Sequence, residues 1–541
     1  MASEGVSLIM SGAYVDQELA VEFGNLPPAF LPLGNSRLYE AQLAELGDLC
    51  NLFMTIPDGY DAPGDDLRRL GAAGVSLIPL PSHLSLGEAV ACAIDLAGGG
   101  DGPVRILHGD TLLLPMPASD DTDIVAVSEY PDPYRWAEVL LDGDRISRVL
   151  TPEPGLARAA PRLVACGYFS LSMRREFVDA LHTADGDFVA ALDAYAQWRP
   201  MRAVHIDNWY DFGHLHTLFR SRRIFTSGRS FNTLTIDEHV AHKTAAGEAH
   251  FSKIRAEARW LRSVPPAVQV YVARVLETGE ARDAPYYTTE YEHIPTLAEL
   301  FVFGALEKLS WRHIIRSCAE FLEVCGSITR EQPALPVLEN LAGDKTFSRL
   351  ETFARASHFD LCRPNRFDGR PAPSLLAIAE SLSQIIKSGP SRQQCIMHGD
   401  FCFSNILFNF RTRRIRSLDP RGELPDGTPA IYGDPRYDLA KLAHSVFGRY
   451  DQIMSGRYVQ GVAGPHDFSI AFEEAPHHAW VEEALGELQV HGVSATSLLV
   501  QAATTSLFLS MLPLHDDSPE RQRAFIANAL RLYANMESSP S

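Results

Sequence analysis

The sequence has no CxxC pair. Its eight cysteines (Cys50, Cys92, Cys166, Cys318, Cys325, Cys362, Cys395 and Cys402) are scattered, which excludes a zinc ribbon or disulfide framework and leaves free thiols. A G-x-S-x-G elbow and an HExxH helix are also missing, and the nineteen histidines show no metal spacing, so hydrolase and zinc chemistry find no support. Cations are in short supply: 48 Lys and Arg face 68 Asp and Glu, a formal net charge of −20. Without a long basic run, that balance argues against a nucleic-acid partner. The start, MASEGVSLIMSGAYVDQ, lacks a basic stretch before a long apolar one, so no signal peptide is expected. The most apolar late segment, SLLVQAATTSLFLSMLPL, is interrupted by Gln501, Thr504, Thr505, Ser506 and Pro513, which favours a buried helix over a membrane span. The expected location is the cytoplasm.

What is present is ordinary globular sequence, with 46% hydrophobic and 21% charged residues. At 541 residues it exceeds what one core usually supports, so two domains are expected. The first part alternates apolar runs of strand length (VSLIM, NLFMTI, VSLIPL, VRILHGD, DIVAVSEY) with amphipathic segments such as SRLYEAQLAELGDL and SLGEAVACAIDLA. That alternation predicts an α/β domain with a doubly wound, mostly parallel sheet, whose ligands lie at the carboxyl ends of the strands. Near residue 225 the texture changes to an antiparallel hairpin region and then a long helical section. The expected domains are 1–225 and 226–541.

The densest chemistry is in MHGDFCFSNILFN followed by RIRSLDPRG. Asp400 and Asn405 stand five positions apart, the interval of a kinase catalytic loop, and Asp419 follows a short hairpin. Phosphoryl transfer needs a carboxylate to take the proton of the attacking hydroxyl and hard oxygen ligands to hold Mg2+ against the phosphates. Asp400 suits the first task, Asn405 and Asp419 the second. The segment resembles the aminoglycoside phosphotransferase and choline kinase group, whose loop reads H-G-D-x-x-x-x-N. The resemblance implies a two-lobed, protein-kinase-like fold, a loop-orienting role for His398, and in GDPRYDLAKL a brace at Asp438. It further implies that Lys243 contacts the α- and β-phosphates of ATP, with Glu257, fourteen residues on, positioning it. The turn SGRSFN, with Ser230, would cover the phosphates, and backbone near Glu290 and Tyr291 would meet the adenine.

The first part is similar to the sugar-phosphate nucleotidyltransferases. The similarity rests on LPPAFLPLGNSRLYEAQLAEL, on ILHGD ending a strand, on DNWYDFGHLHTLFRSR, and on CGYFSLS with Gly167 and Tyr168. It implies Asp110 and Asp211 as carboxylates holding Mg2+ at the α-phosphate of a second nucleoside triphosphate (CTP, GTP or UTP). Two departures stand out. SGAYVDQELAVEFGN has no close glycine pair and no Arg or Lys, and Pro28 stands where that family carries lysine; Arg37 lies past the loop. The combined expectation is a bifunctional enzyme of the capsule-biosynthesis type, in which a small hydroxyl compound is phosphorylated and then receives a nucleotidyl group. Two alternatives stay open: a kinase whose first domain only binds or regulates, and a non-catalytic scaffold.

Overall fold

The computed structural model describes residues 5–47, 51–98, 100–118, 123–130, 136–151, 162–225, 232–237, 239–281, 283–330, 336–390, 392–424 and 426–538. The chain divides into two compact units, Met1–Arg222 and Arg223–Ser541.

In the first unit, the strand Val6–Met10 is buried at all five positions. Strand side chains alternate faces, so Val6, Leu8 and Met10 enter one apolar cluster and Ile9 the other. The strand is thus covered on both faces, as its unbroken apolar run requires. Nine described strands form one sheet. Val75–Leu80, Leu52–Pro57, Val6–Met10 and Val104–His108 are parallel, in that order. Beyond them the sheet departs from the expected parallel arrangement. Arg162–Leu171 runs antiparallel to both Val104–His108 and Ile124–Tyr130, and an antiparallel hairpin, Glu138–Asp142 with Arg145–Leu150, closes the far edge. Its turn carries Gly143 at φ 67°, so the Asp-Gly step in LLDGDRI was a readable hairpin signal. The helix Leu86–Leu96 begins with a capping box, Ser85 bonding the Glu88 amide and Glu88 bonding the Ser85 amide.

The second unit opens with four described antiparallel strands in the order Asn232–Ile236, Val240–Ala245, Ala284–Glu290, Val275–Ala281. The helix Phe251–Ser263 buries Ile254, Glu257, Ala258 and Leu261, one face of a 3.6-residue repeat. Helices Lys308–Gly326, Lys345–Ser357, Leu375–Ser388, Pro435–Val446, Leu498–Met511 and Pro519–Ser538 supply most of the rest. The stretch Leu498–His515 is long and apolar enough to cross a membrane by length and composition, and 67% of it is buried inside the protein. All the described cysteines are free.

One bond ties the sheet-side helix to the loop that matters most. The indole N–H of Trp260, fully buried, donates to the Met397 carbonyl at 2.9 Å. Trp260→Phe leaves that buried acceptor unpaired and is expected to cost about 1–3 kcal/mol in urea unfolding. Trp198→Phe, at 59% exposure, should change the same measurement by less than about 0.5 kcal/mol. Equal effects of the two variants would refute the importance of the Trp260 bond.

Candidate active site

Lys243 lies on the strand Val240–Ala245, opposite Tyr287 of the neighbouring strand. Alternation turns its side chain inward, where it is buried. Glu257 occupies a position on the apolar face of its helix and is therefore carried inside as well. The Lys243 ammonium donates to Glu257 Oε2 at 2.6 Å and to Asp419 Oδ1 at 2.8 Å, and the Tyr287 hydroxyl donates to Glu257 Oε2 at 2.9 Å. Burial opposes a charged Lys243, but the carboxylates of Asp419 and Glu257 outweigh it and hold its pKa above the usual lysine value. Burial pushes Glu257 up, against the pull of Lys243. Three separate segments thus meet on one cation.

The loop from His398 to Asn405 is shaped by its backbone. Gly399 has φ 78°, and a Cβ there would lie 2.6 Å from the Arg421 Cβ. The buried Asp438 carboxylate accepts the His398 and Gly399 amides, both at 2.7 Å. Burial pushes this carboxyl up to about 7, against those two bonds. His398, fully buried beside Trp260 and Phe401, accepts the Asp400 amide on Nδ1 at 3.2 Å. Asn405 Nδ2 donates to the Asp400 carbonyl at 2.8 Å and to Asp400 Oδ2 at 2.9 Å. Asp419 follows the hairpin Ile406–Asn409 and Arg414–Ser417 and sits at φ 57°, a left-handed conformation uncommon outside glycine.

The structure therefore brings Asp400, Asn405 and His398 together on one loop, and Lys243, Glu257 and Asp419 on one ion cluster. Ser230 lies outside the described residues. The amides of Glu290 and Tyr291 are already committed to the carbonyls of Arg274 (3.1 Å) and His239 (2.8 Å). Those two N–H groups, which the resemblance would turn toward an adenine, are thus taken up within the protein. Sequence reading missed Lys441, whose ammonium lies 2.7 Å from Asp400 Oδ1. The signal was present, because Lys441 stands three residues after Asp438 on the same helix face. Among the described residues no group of three or more His, Cys, Asp or Glu side chains is arranged to hold a metal. Asn405 and Asp419 nonetheless offer the hard oxygen chemistry of Mg2+, which is usually bound by one or two carboxylates together with substrate phosphates.

In the first unit, Asp110 follows the strand Val104–His108, and Asp211 ends the strand Asn208–Asp211, which pairs with Thr111–Leu114. The Phe212 amide donates to the Asp110 carbonyl at 2.8 Å. A Cβ at Gly213 would fall 2.2 Å from Asp110 Oδ2. Burial and the charge of Asp211 push the Asp110 carboxyl up to about 7. Asp211 accepts from the Thr217 hydroxyl and lies 3.2 Å from His214 Nδ1. Arg37 is held by Asp66 at 2.9 Å and by the Phe30 carbonyl at 2.7 Å, which commits it to the fold. Tyr168 is 2% exposed and belongs to the apolar core, so its side chain is not offered to a substrate as expected.

Residues 221–469 match the phosphotransferase enzyme family. The chain carries a phosphotransferase domain there. No curated protein matches the chain. Among solved structures, the GDP complex of wild-type aminoglycoside 2'-phosphotransferase-IIIa is 15% identical, with a TM-score of 0.35, covering 57% of this chain and 91% of that one. A choline/ethanolamine kinase family protein from Mesorhizobium loti is 12% identical, with a TM-score of 0.34, covering 58% of this chain and 87% of that one. HddC from Yersinia pseudotuberculosis is 16% identical, with a TM-score of 0.31, covering 41% of this chain and 99% of that one.

His398 yields a pH prediction. Burial lowers its pKa to about 4. The unfolded ring binds a proton near its ordinary value of about 6.5 and the folded ring does so only near 4, so its stabilising contribution is full above about pH 6.5 and is lost as pH falls toward 4. From pH 7.5 to pH 5 the loss should be about 2 kcal/mol, and His398→Gln should remove that part of the slope in denaturant titrations. An unchanged slope in the variant would refute the buried neutral ring.

Proposed function

We propose that the second unit transfers the γ-phosphoryl group of ATP to a hydroxyl of a small molecule. The observation that carries the reading is the pairing of two constellations in one domain: Asp400 with Asn405 and Lys441, and Lys243 with Glu257 and Asp419. The family match over residues 221–469 supports the same reaction class. Asp400 accepts the proton of the attacking hydroxyl, and Lys441 at 2.7 Å gives that carboxylate a counter-ion. Glu257 holds Lys243 where it meets the α- and β-phosphates. Asn405 and Asp419 would hold Mg2+, which when bound neutralises charge on the phosphates. His398 and Asp438 fix the loop rather than touch the reactants.

Asp400→Asn should lower the phosphoryl-transfer rate by about 10²- to 10⁴-fold while the thermal stabilisation by Mg-ATP persists. Near-normal turnover in a coupled ADP-release assay would remove Asp400 from the role of base.

For the first unit, one observation favours nucleotidyl transfer: the adjacency of Asp110 and Asp211, with Asp110 raised by its neighbour's charge and by burial. A pair of carboxylates that repel each other is suited to sharing a divalent cation. On this reading the unit accepts CTP, GTP or UTP, joins its nucleotidyl group to the phosphorylated product and releases pyrophosphate. An activated sugar or head group for surface polysaccharide synthesis in the cytoplasm would result. The alternative, a first unit that only binds or regulates, is favoured by the absence of Lys or Arg from residues 11–25. Phosphorus NMR with Mg-ATP, a panel of sugars and amino-alcohols, and all four nucleoside triphosphates separates them. A phosphomonoester that becomes a diphosphodiester supports both steps, and a signal that stops at the monoester leaves the kinase alone. Asp110→Asn should abolish the second step and spare the first.

A further inference from the structure

Beside Asp400 the protein gathers positive charge that the phosphoryl-transfer residues do not account for. Lys345 and Arg349 stand four residues apart on the helix Lys345–Ser357, on one face of it. A π-helical turn, Glu339–Asp344, leads into that helix, a distortion found often at functional sites. Lys345 lies within electrostatic reach of Arg421, Arg349, Lys441 and Asp400. Of these cations, Lys441 is paired with Asp400. The Arg421 guanidinium bonds the Gly399 carbonyl at 3.3 Å and the Tyr437 hydroxyl at 3.5 Å, and Arg349 Nη1 bonds the Ser510 carbonyl at 2.8 Å. Among the described residues, no carboxylate lies within ion-pair distance of Lys345, Arg349 or Arg421, and the Lys345 ammonium has no hydrogen-bond partner. In a chain with a net charge of −20, Lys345 and Arg349 form a basic pair without an ion-paired carboxylate, beside Arg421 and Lys441, whose charge is met by Asp400, Asp438 and Glu423.

We propose that the phosphoryl acceptor is itself an anion, its phosphate or carboxylate group seated on Lys345 and Arg349 while its hydroxyl faces Asp400. The proposal rests on the kinase reading of this unit. It deepens that reading by naming the substrate class: a hydroxylated phosphate ester or acid rather than a cationic amine, which these charges repel. Arg349, oriented by its bond to Ser510, still has guanidinium N–H donors for a bidentate contact. Burial and the neighbouring cations lower Lys345 to about 6, so its amine is mostly uncharged near neutral pH and takes up a proton when a bound anion supplies the counter-charge. ATP has its own cation in Lys243, on the sheet side of the unit.

The test uses the full chain saturated with Mg2+ and a non-hydrolysable ATP analogue, titrated with inorganic sulfate and read by thermal shift. Wild type should show a saturable rise in Tm, and Lys345→Gln and Arg349→Gln should each weaken sulfate binding at least tenfold while binding the analogue as wild type does. In turnover assays with matched acceptors, glucose 6-phosphate and glucuronate should each outperform glucose and glucosamine, and whichever of the two anions is better identifies the group. No sulfate response in wild type, an equal response in the variants, or a preference for neutral or amino acceptors would overturn the proposal. Loss of analogue binding in the variants would also overturn it, by assigning the cations to the nucleotide. If the analogue gives no Mg2+-dependent stabilisation in wild type, the kinase reading itself fails, and with it the acceptor proposal.

Discussion

Lys243 ties a strand, a helix and a loop of the second unit together because it is one cation shared by two carboxylates. Glu257 comes from a helix, Asp419 from a loop after a hairpin, and Lys243 from a strand. Removing one partner of a buried ion pair typically costs about 3–5 kcal/mol, because it strands the remaining charge. When both carboxylates are ionised, the trio keeps one net negative charge. A cluster of that kind gains from a further cation, whereas a neutral pair would not.

Charge also divides the molecule's surroundings. The chain is strongly acidic, yet its cations are not spread evenly. Lys441, Lys345, Arg349 and Arg421 come from three different stretches and converge near Asp400. The first unit shows the opposite local balance, with Asp110 and Asp211 repelling one another and His214 and His108 nearby. Two sites of opposite sign suit different chemistries.

Local pattern made much of this readable. Unbroken apolar runs located the strands of the first unit, because a strand covered on both faces has no polar positions to give. Asp400, Asn405 and Asp419 could be singled out because the kinase reading ties them to fixed spacings within one loop and hairpin, and the structure places them there. Lys345 and Arg349 could not, since an i,i+4 pair of basic residues reads as a solvated helix face until the packing of Ser510 and Arg421 is known. The antiparallel strand Arg162–Leu171 escaped for a similar reason: the direction in which a buried strand pairs is set by its neighbours, not by its own residues. The committed amides of Glu290 and Tyr291 depend on carbonyls of Arg274 and His239, which local sequence does not bring to them.

Gly422 shows how narrow the tolerances are. It adopts φ 67°, and a Cβ there would come 2.2 Å from the carbonyl oxygen of Ala256, the residue before Glu257. The loop that carries Asp419 and the helix that carries Glu257 therefore lie backbone against backbone, with no side chain between them. The clearance is less than one methyl group. Two carboxylates from distant parts of the chain can reach the same ammonium because, at that one point, the sequence supplies nothing to keep them apart.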